Sequence, residues 1–294
     1  MLNRHLAGFA FSVLLMQQAI AQPLYLWEAH QGDTIVYLYG SIHLCSSQCF
    51  PLPAAVDGAL ANSAALAVEL DPLDQKTASE LLQRAIYAPG DAVGRHLPAH
   101  IAGRYLRALV ERGVPQAAAT QMKPWFGTTM IEIIDAQRDG FSAEQGVDRH
   151  LVKQARAAGK AVVELETVEE QVSAIEAMTA DDEAGATRQF LDMADTGRSA
   201  AYLREMLAAW RDGDAPRLYA RSVAVFPDAK AGERAMAALL DQRNRVMAQR
   251  IAAAAAQRKP LFVVIGAAHL AGPASVQTQL EAAGYAVRQV DDSR

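Results

Sequence analysis

Apolar and polar positions along this chain follow two different periods. Short apolar runs with strand character fall at residues 24–28, 34–38, 65–70, 161–165, 261–265 and 285–290. His30-Gln31-Gly32-Asp33 supplies a turn between the first two, and Pro72 closes the third. Helical spacing takes over elsewhere. Leu81, Leu82, Ala85 and Ile86 share one face, as do Tyr105, Leu106, Leu109 and Val110. Helices are expected over residues 53–62, 146–159, 232–258 and 275–283, with a long polar and alanine-rich helical region over 168–225. Lys123-Pro124-Trp125 opens an apolar helix running through Ile134. Gly90, Gly94, Pro98 and Pro115 punctuate the stretch 73–140. Strands alternate with helices at both ends, around a helical middle at about 73–140 and 168–258. That pattern predicts an α/β fold.

Two of the strand-like runs end alike. Ile35-Val36-Tyr37-Leu38-Tyr39 is followed by Gly40-Ser41-Ile42-His43, and Leu261-Phe262-Val263-Val264-Ile265 by Gly266-Ala267-Ala268-His269. The strand anchors, the Gly permits a tight turn and the His projects from the sheet rim. Two such deliveries suggest one shared polar site, most simply a metal site; the plainer alternative is that each His caps a loop. Glu69 ends a third apolar run, and a carboxylate there is costly to bury alone. It needs a cation, a donor or the solvent-facing rim. Asp71 reads as a turn residue before Pro72.

Glu164 and Glu166 flank Leu165, and strand alternation would put both on one face. Thr167-Val168-Glu169-Glu170 fits a capping box, and Glu166 just before it has a supporting or basic role open to it. Arg243 and Asn244 lie in a charged helical stretch, so spacing alone predicts that Arg243 faces water. The functional alternative is an arginine that clamps a carboxylate or steadies an oxyanion. No Gly-x-Ser-x-Gly elbow, His-Glu-x-x-His helix or phosphate loop occurs. Ser41 and His43 stand too close along one turn to form a nucleophile–base pair.

The first residues add a compartment. Arg4 and His5 precede an apolar stretch at residues 6–16, and Ala19-Ile20-Ala21 gives a small-residue cleavage pattern before Gln22. This reads as an export signal cleaved after Ala21. The apolar core falls short of the roughly 20 residues that span a bilayer, and no later segment reaches that length. Residues 22–294 are then a periplasmic or secreted domain without a transmembrane anchor. The net charge of −5, without a basic stripe, argues against a nucleic-acid partner. Hydrophobic residues make up 51% and aromatics only 6%, which favours alanine- and leucine-rich helices packed around a modest sheet. Cys45 and Cys49 follow His43 closely. In an oxidising compartment they read first as a local disulfide, with a thiolate joining His43 on a metal as the sharper alternative.

Taken together, the two Gly-x-x-His motifs, Val68-Glu69-Leu70, Lys123-Pro124-Trp125, Gly146-Val147-Asp148, Leu165-Glu166-Thr167-Val168-Glu169-Glu170-Gln171 and Arg243-Asn244 resemble the TraB/GumN family. The resemblance runs from about Leu24 to the C-terminus. That family is related to the animal Tiki proteins, described as metal-dependent proteases, and more distantly to erythromycin-esterase-like and haem-binding ChaN-like proteins. It implies a mixed-sheet core of two related halves with a large helical insertion. It implies a site built from His43, Glu69 and His269, with Arg243 and Glu166 in support.

The expectation is therefore a secreted metal-dependent hydrolase acting on peptides or proteins. His43, Glu69 and His269 would hold one divalent cation; such donors suit zinc and accept manganese or cobalt. Glu69 would be the general base if it is not a ligand, and Arg243 would steady the tetrahedral intermediate. One alternative is a non-catalytic envelope protein that carries a metal or haem. Another is an interaction protein with a degenerate site, linked by family analogy to polysaccharide export.

Overall fold

The apolar runs pair into one mixed six-stranded sheet. The computed structural model describes residues 22–292. Its strands are β1 (Pro23–Gln31), β2 (Thr34–Ser41), β3 (Ala65–Val68), β4 (Ala161–Glu164), β5 (Leu261–Gly266) and β6 (Ala286–Asp291), in the order β4-β3-β5-β2-β1-β6. β1 and β2 form a hairpin in which Gln31 faces Thr34, so only Gly32 and Asp33 make the turn. Gly32 takes φ 58, as the first position of a tight hairpin turn requires. His30 and Gln31 are thus strand residues, and the turn is shorter than expected.

β4, β3, β5 and β2 are mutually parallel neighbours, while β1 runs antiparallel to both β2 and β6. Every residue of β3 and β5 is buried. Parallel strands covered on both faces need such unbroken apolar runs, and their connections need crossover helices. The consequence for function is geometric. All four parallel strands end at the same edge of the sheet, where open α/β sheets place their ligands.

The helices are α1 (Ala54–Asn62), α2 (Gln75–Ala85), α3 (Ala99–Glu111), α4 (Gln116–Gln121), α5 (Pro124–Arg138), α6 (Val147–Ala157), α7 (Val168–Thr179), α8 (Glu183–Asp195), α9 (Arg198–Arg211), α10 (Ala215–Ala224), α11 (Ala229–Met236), α12 (Gln242–Gln257) and α13 (Val276–Ala282). The stretch 168–225 is four helices. Asp182 and Asp214 cap two of them, while Gly197 and Gly213 bend the chain at φ 68 and 65. α7 begins with the expected capping box, Thr167 and Glu170 each accepting the other's backbone N–H. α11 and α12 are joined by a π-helical turn at Ala237–Asp241, which no apolar spacing announced.

Two apolar cores result among the described residues. Leu38, Leu66, Phe262 and Val263 of the sheet pack with Leu151 of α6 and Met247 and Ile251 of α12. A second core joins α3, α4, α5 and α8 through Tyr105, Leu109, Ala119, Ile131 and Leu191. Among the described residues, no helix is long and apolar enough to cross a membrane.

Candidate functional site

Each parallel strand delivers one side chain to the shared edge. His43 follows β2, Glu69 follows β3, Glu166 follows β4 and His269 follows β5. α12 crosses above and contributes Arg243 and Asn244, both buried. The water-facing expectation for Arg243 is therefore overturned. The π turn just before α12 adds to the helical phase, so a face read from the preceding turns no longer applies.

Gly266 lies at the centre. A methyl group on its Cα would stand 3.1 Å from Glu69 Oε1, 3.3 Å from His43 Nε2 and 3.8 Å from His269 Cδ2. The two imidazoles and the carboxylate therefore converge on one point that only glycine leaves free. Gly40, the partner in the repeated motif, is needed for another reason: a methyl there would come within 2.3 Å of the Tyr25 ring. Neither glycine adopts a left-handed conformation; Gly266 has φ −51. The repeated glycines give space, and the turn-forming role expected for them is not the reason they are present.

Both imidazoles are oriented through Nδ1. His43 Nδ1 lies 3.1 Å from Asp148 Oδ2. Asp148 stands in the first turn of α6, where the helix terminus favours an acidic side chain. Val147 N–H donates to Ile42 O at 3.0 Å and locks the start of α6 to the His43 loop. Cys45 and Cys49 form a disulfide in that loop, and Cys45 exchanges backbone hydrogen bonds with Ser142. With both sulfurs joined, no thiolate is left to ligate a metal beside His43.

His269 Nδ1 faces Asn244 Oδ1, while Asn244 Nδ2 donates to Ala274 O at 2.9 Å. The second bond fixes the amide orientation, so His269 Nδ1 is the donor and its Nε2 looks into the site. There it meets Glu69 Oε2 at 3.6 Å. Two acceptor lone pairs facing each other call for a proton or a cation between them.

Glu69 and Glu166 share Arg243. Arg243 Nε and Nη2 donate to the two oxygens of Glu166 at 2.8 and 2.7 Å, and Nη2 also donates to Glu69 Oε2 at 3.0 Å. Gln171 Nε2 bridges the same carboxylates at 3.0 and 3.5 Å. Gly266 N–H donates to Glu69 Oε1. Glu164 does not share this environment. β4 ends at Glu164, which stays exposed and accepts from Asp71 N–H at 2.8 Å, while Glu166 turns inward.

The electrostatics separate these groups. Burial alone would raise the Glu69 carboxyl, but the charges of His269, Arg243 and His43 hold it well below the usual carboxylate range. Burial pushes Glu166 up, against the pull of Arg243. The charge of Asp148 pushes His43 up to about 9, with desolvation opposing. The His43 ring nonetheless keeps 62% of its side-chain surface open to solvent, whereas His269 is buried.

Imidazole and carboxylate are donor types that divalent cations take. Glu69 and Glu166 share one guanidinium, and Asp148 pairs with His43. Two imidazoles present Nε2 with Nδ1 already engaged, which is how metal-binding histidines are usually held. Among the described residues, no group of three His, Cys, Asp or Glu side chains lies close enough to hold an ion. Sequence reasoning assigned no role to Asp148, Asn244 or Gln171. Asp148 is 105 positions from His43, and nothing in local spacing announces such a pairing.

The match to the TraB/PrgY/gumN family covers residues 25–289, and the chain belongs to that family. Among curated proteins it is similar to the uncharacterized protein YbaP of Escherichia coli (strain K12) and to that of Shigella flexneri. Each is 28% identical over 159 residues, covering 51% of this chain and 56% of the relative. The chain thus spans about half the length of the curated relatives it matches. No solved structure matches.

Proposed function

We propose that this TraB/PrgY/gumN family member is a metal-dependent hydrolase acting on peptide bonds. The observation that carries the reading is the convergence of His43 Nε2, His269 and Glu69 on the bare Cα of Gly266. Those three residues would hold the ion. A bound divalent cation would polarise a carbonyl and lower the pKa of water from 15.7 to about 7.

The chain's own residues set up the rest. Asp148 and Asn244 hold the imidazoles with Nε2 inward. Glu69 stays ionised and is available as ligand or proton acceptor. Burial raises Glu166, but both its oxygens accept from Arg243, so it serves as the ion-pair partner that holds the guanidinium in place. Arg243 spends Nε and Nη2 on the two carboxylates. It is therefore a positioning residue that fixes Glu69 and balances charge, in place of the oxyanion role expected from sequence.

An exported location completes the proposal. The leader that suggests it lies outside the described residues. The Cys45–Cys49 disulfide supports it, since such bonds persist in oxidising compartments. N-terminal sequencing of protein from its native host should begin at Gln22.

The test is turnover of a quenched peptide library by metal-loaded protein. Cleavage that a chelator stops and added zinc, manganese or cobalt restores supports the enzyme. A Soret band in the purified protein, without cleavage, would instead favour the haem-carrying alternative.

A further inference from the structure

Behind the Glu166–Arg243 pair lies a cavity of about 310 Å³, between α7 and the π turn leading into α12. Its walls are aliphatic: Leu165, Ala174, Ala238 and Val246. Its floor is the buried ion pair itself. We propose that this cavity is a specificity pocket that receives an apolar side chain of the peptide substrate.

Three observations carry the proposal. The first is polar saturation. Glu166 is held by Arg243, and Glu170 by Arg250 through two bonds of 2.8 Å. Ser173 donates to Glu169 at 3.0 Å, and the Gln242 carbonyl accepts from Arg245. An occupant therefore meets charged groups that already have partners, and gains chiefly from apolar contact.

The second is how the space is kept open. Ala174 on α7 and Ala238 in the π turn are small residues on opposite sides of the seam. Leucine at either would fill it. π turns occur often at functional sites, and this one leads directly into Arg243. The volume lies at the lower end of small-ligand sites, suiting one side chain better than a cofactor.

The third is continuity. Arg243 both lines the cavity and reaches Glu69 Oε2 at 3.0 Å. The cavity and Glu69 are therefore separated by a single guanidinium, and a side chain lodged there presses on the group that fixes Glu69. That the side chain belongs to a peptide rests on the peptide-hydrolase reading; the apolar character of the pocket does not.

The experiment is methyl-resolved NMR of the metal-free chain from Gln22 onward. It is titrated with N-acetyl-L-leucine methylamide and, separately, with the aspartate analogue. Burying a leucine-sized side chain is worth roughly 10- to 100-fold in affinity. The expected result is saturable shifts of the Ala174 and Ala238 methyls with the leucine compound, binding at least about tenfold weaker for aspartate, and loss of binding in Ala174→Leu. Val246→Phe fills the same space from α12 and serves if Ala174→Leu misfolds. Absence of saturable shifts, equal binding of the two compounds, or undiminished binding in a folded filled variant overturns the pocket. The measurement needs neither metal nor turnover. A failed peptidase assay therefore leaves it standing, and cleavage without binding here overturns the pocket alone.

Discussion

Gly266 matters for what it lacks. One methyl group there would press on Glu69 and His43 together, so the convergence of three donors depends on a hydrogen atom in place of a side chain. Arg243 matters for what it balances. Its guanidinium serves two buried carboxylates, and removing one member of a buried ionic set leaves uncompensated charge. Arg243→Met should destabilise the fold by about 3–5 kcal/mol in urea unfolding. Adding Glu166→Gln should recover part of that loss, because it deletes one of the stranded charges. A single-variant cost under about 1 kcal/mol would contradict the account. At this scale the sequence was partly legible. His43, Glu69 and His269 were readable because each ends an apolar run, and ends of parallel strands share one edge. Asp148 and Asn244 were hidden because they act on partners distant in sequence or through a tautomer. The two glycines were found for the wrong physical reason.

The strands of this chain could be read from their apolar runs, and the helices only in outline. β3 and β5 are buried on both faces, so their composition announces them. The helix over 232–258 was read, but the buried face of α12 was not, because the π turn breaks the 3.6-residue period that assigns a helix its faces. The four helices within 168–225 were merged because their breaks rest on single residues, Gly197 and Gly213 among them, inside polar and alanine-rich sequence. The capping box of α7 was legible because its two halves lie three residues apart, within one turn. It also anchors the chain just past Glu166. Thr167→Ala should cost about 1 kcal/mol of stability in chemical denaturation. A variant with unchanged stability would show that the box adds little at this junction.

At the scale of the molecule, the sheet edge carries the candidate site, while the second core gathers part of the helical middle. Composition anticipated helices around a modest sheet, yet it could not separate the two cores, since alanine and leucine serve both. The helical part has an electrostatic signature of its own. Glu132 on α5 makes no ion pair among the described residues, and burial pushes its carboxyl up to about 7. The folded state therefore binds a proton that the unfolded chain gives up near pH 4.3. Stability should fall as pH rises through that window to about 7, and the cost should then persist. Glu132→Gln should match the parent near pH 4 and exceed it by about 1–3 kcal/mol above pH 7. A difference independent of pH would contradict the assignment.

The central claim, that His43, Glu69 and His269 hold one metal ion around Gly266, is tested most directly by metal content. The chain from Gln22 onward, with His43→Ala, His269→Ala and Gly266→Ala, would be equilibrated with zinc, manganese or cobalt, dialysed and subjected to elemental analysis, with unfolding curves confirming that each variant folds. The account predicts one ion per parent chain, none retained by either histidine variant, and at least about tenfold weaker retention by Gly266→Ala. Equal metal content in all four proteins would contradict it.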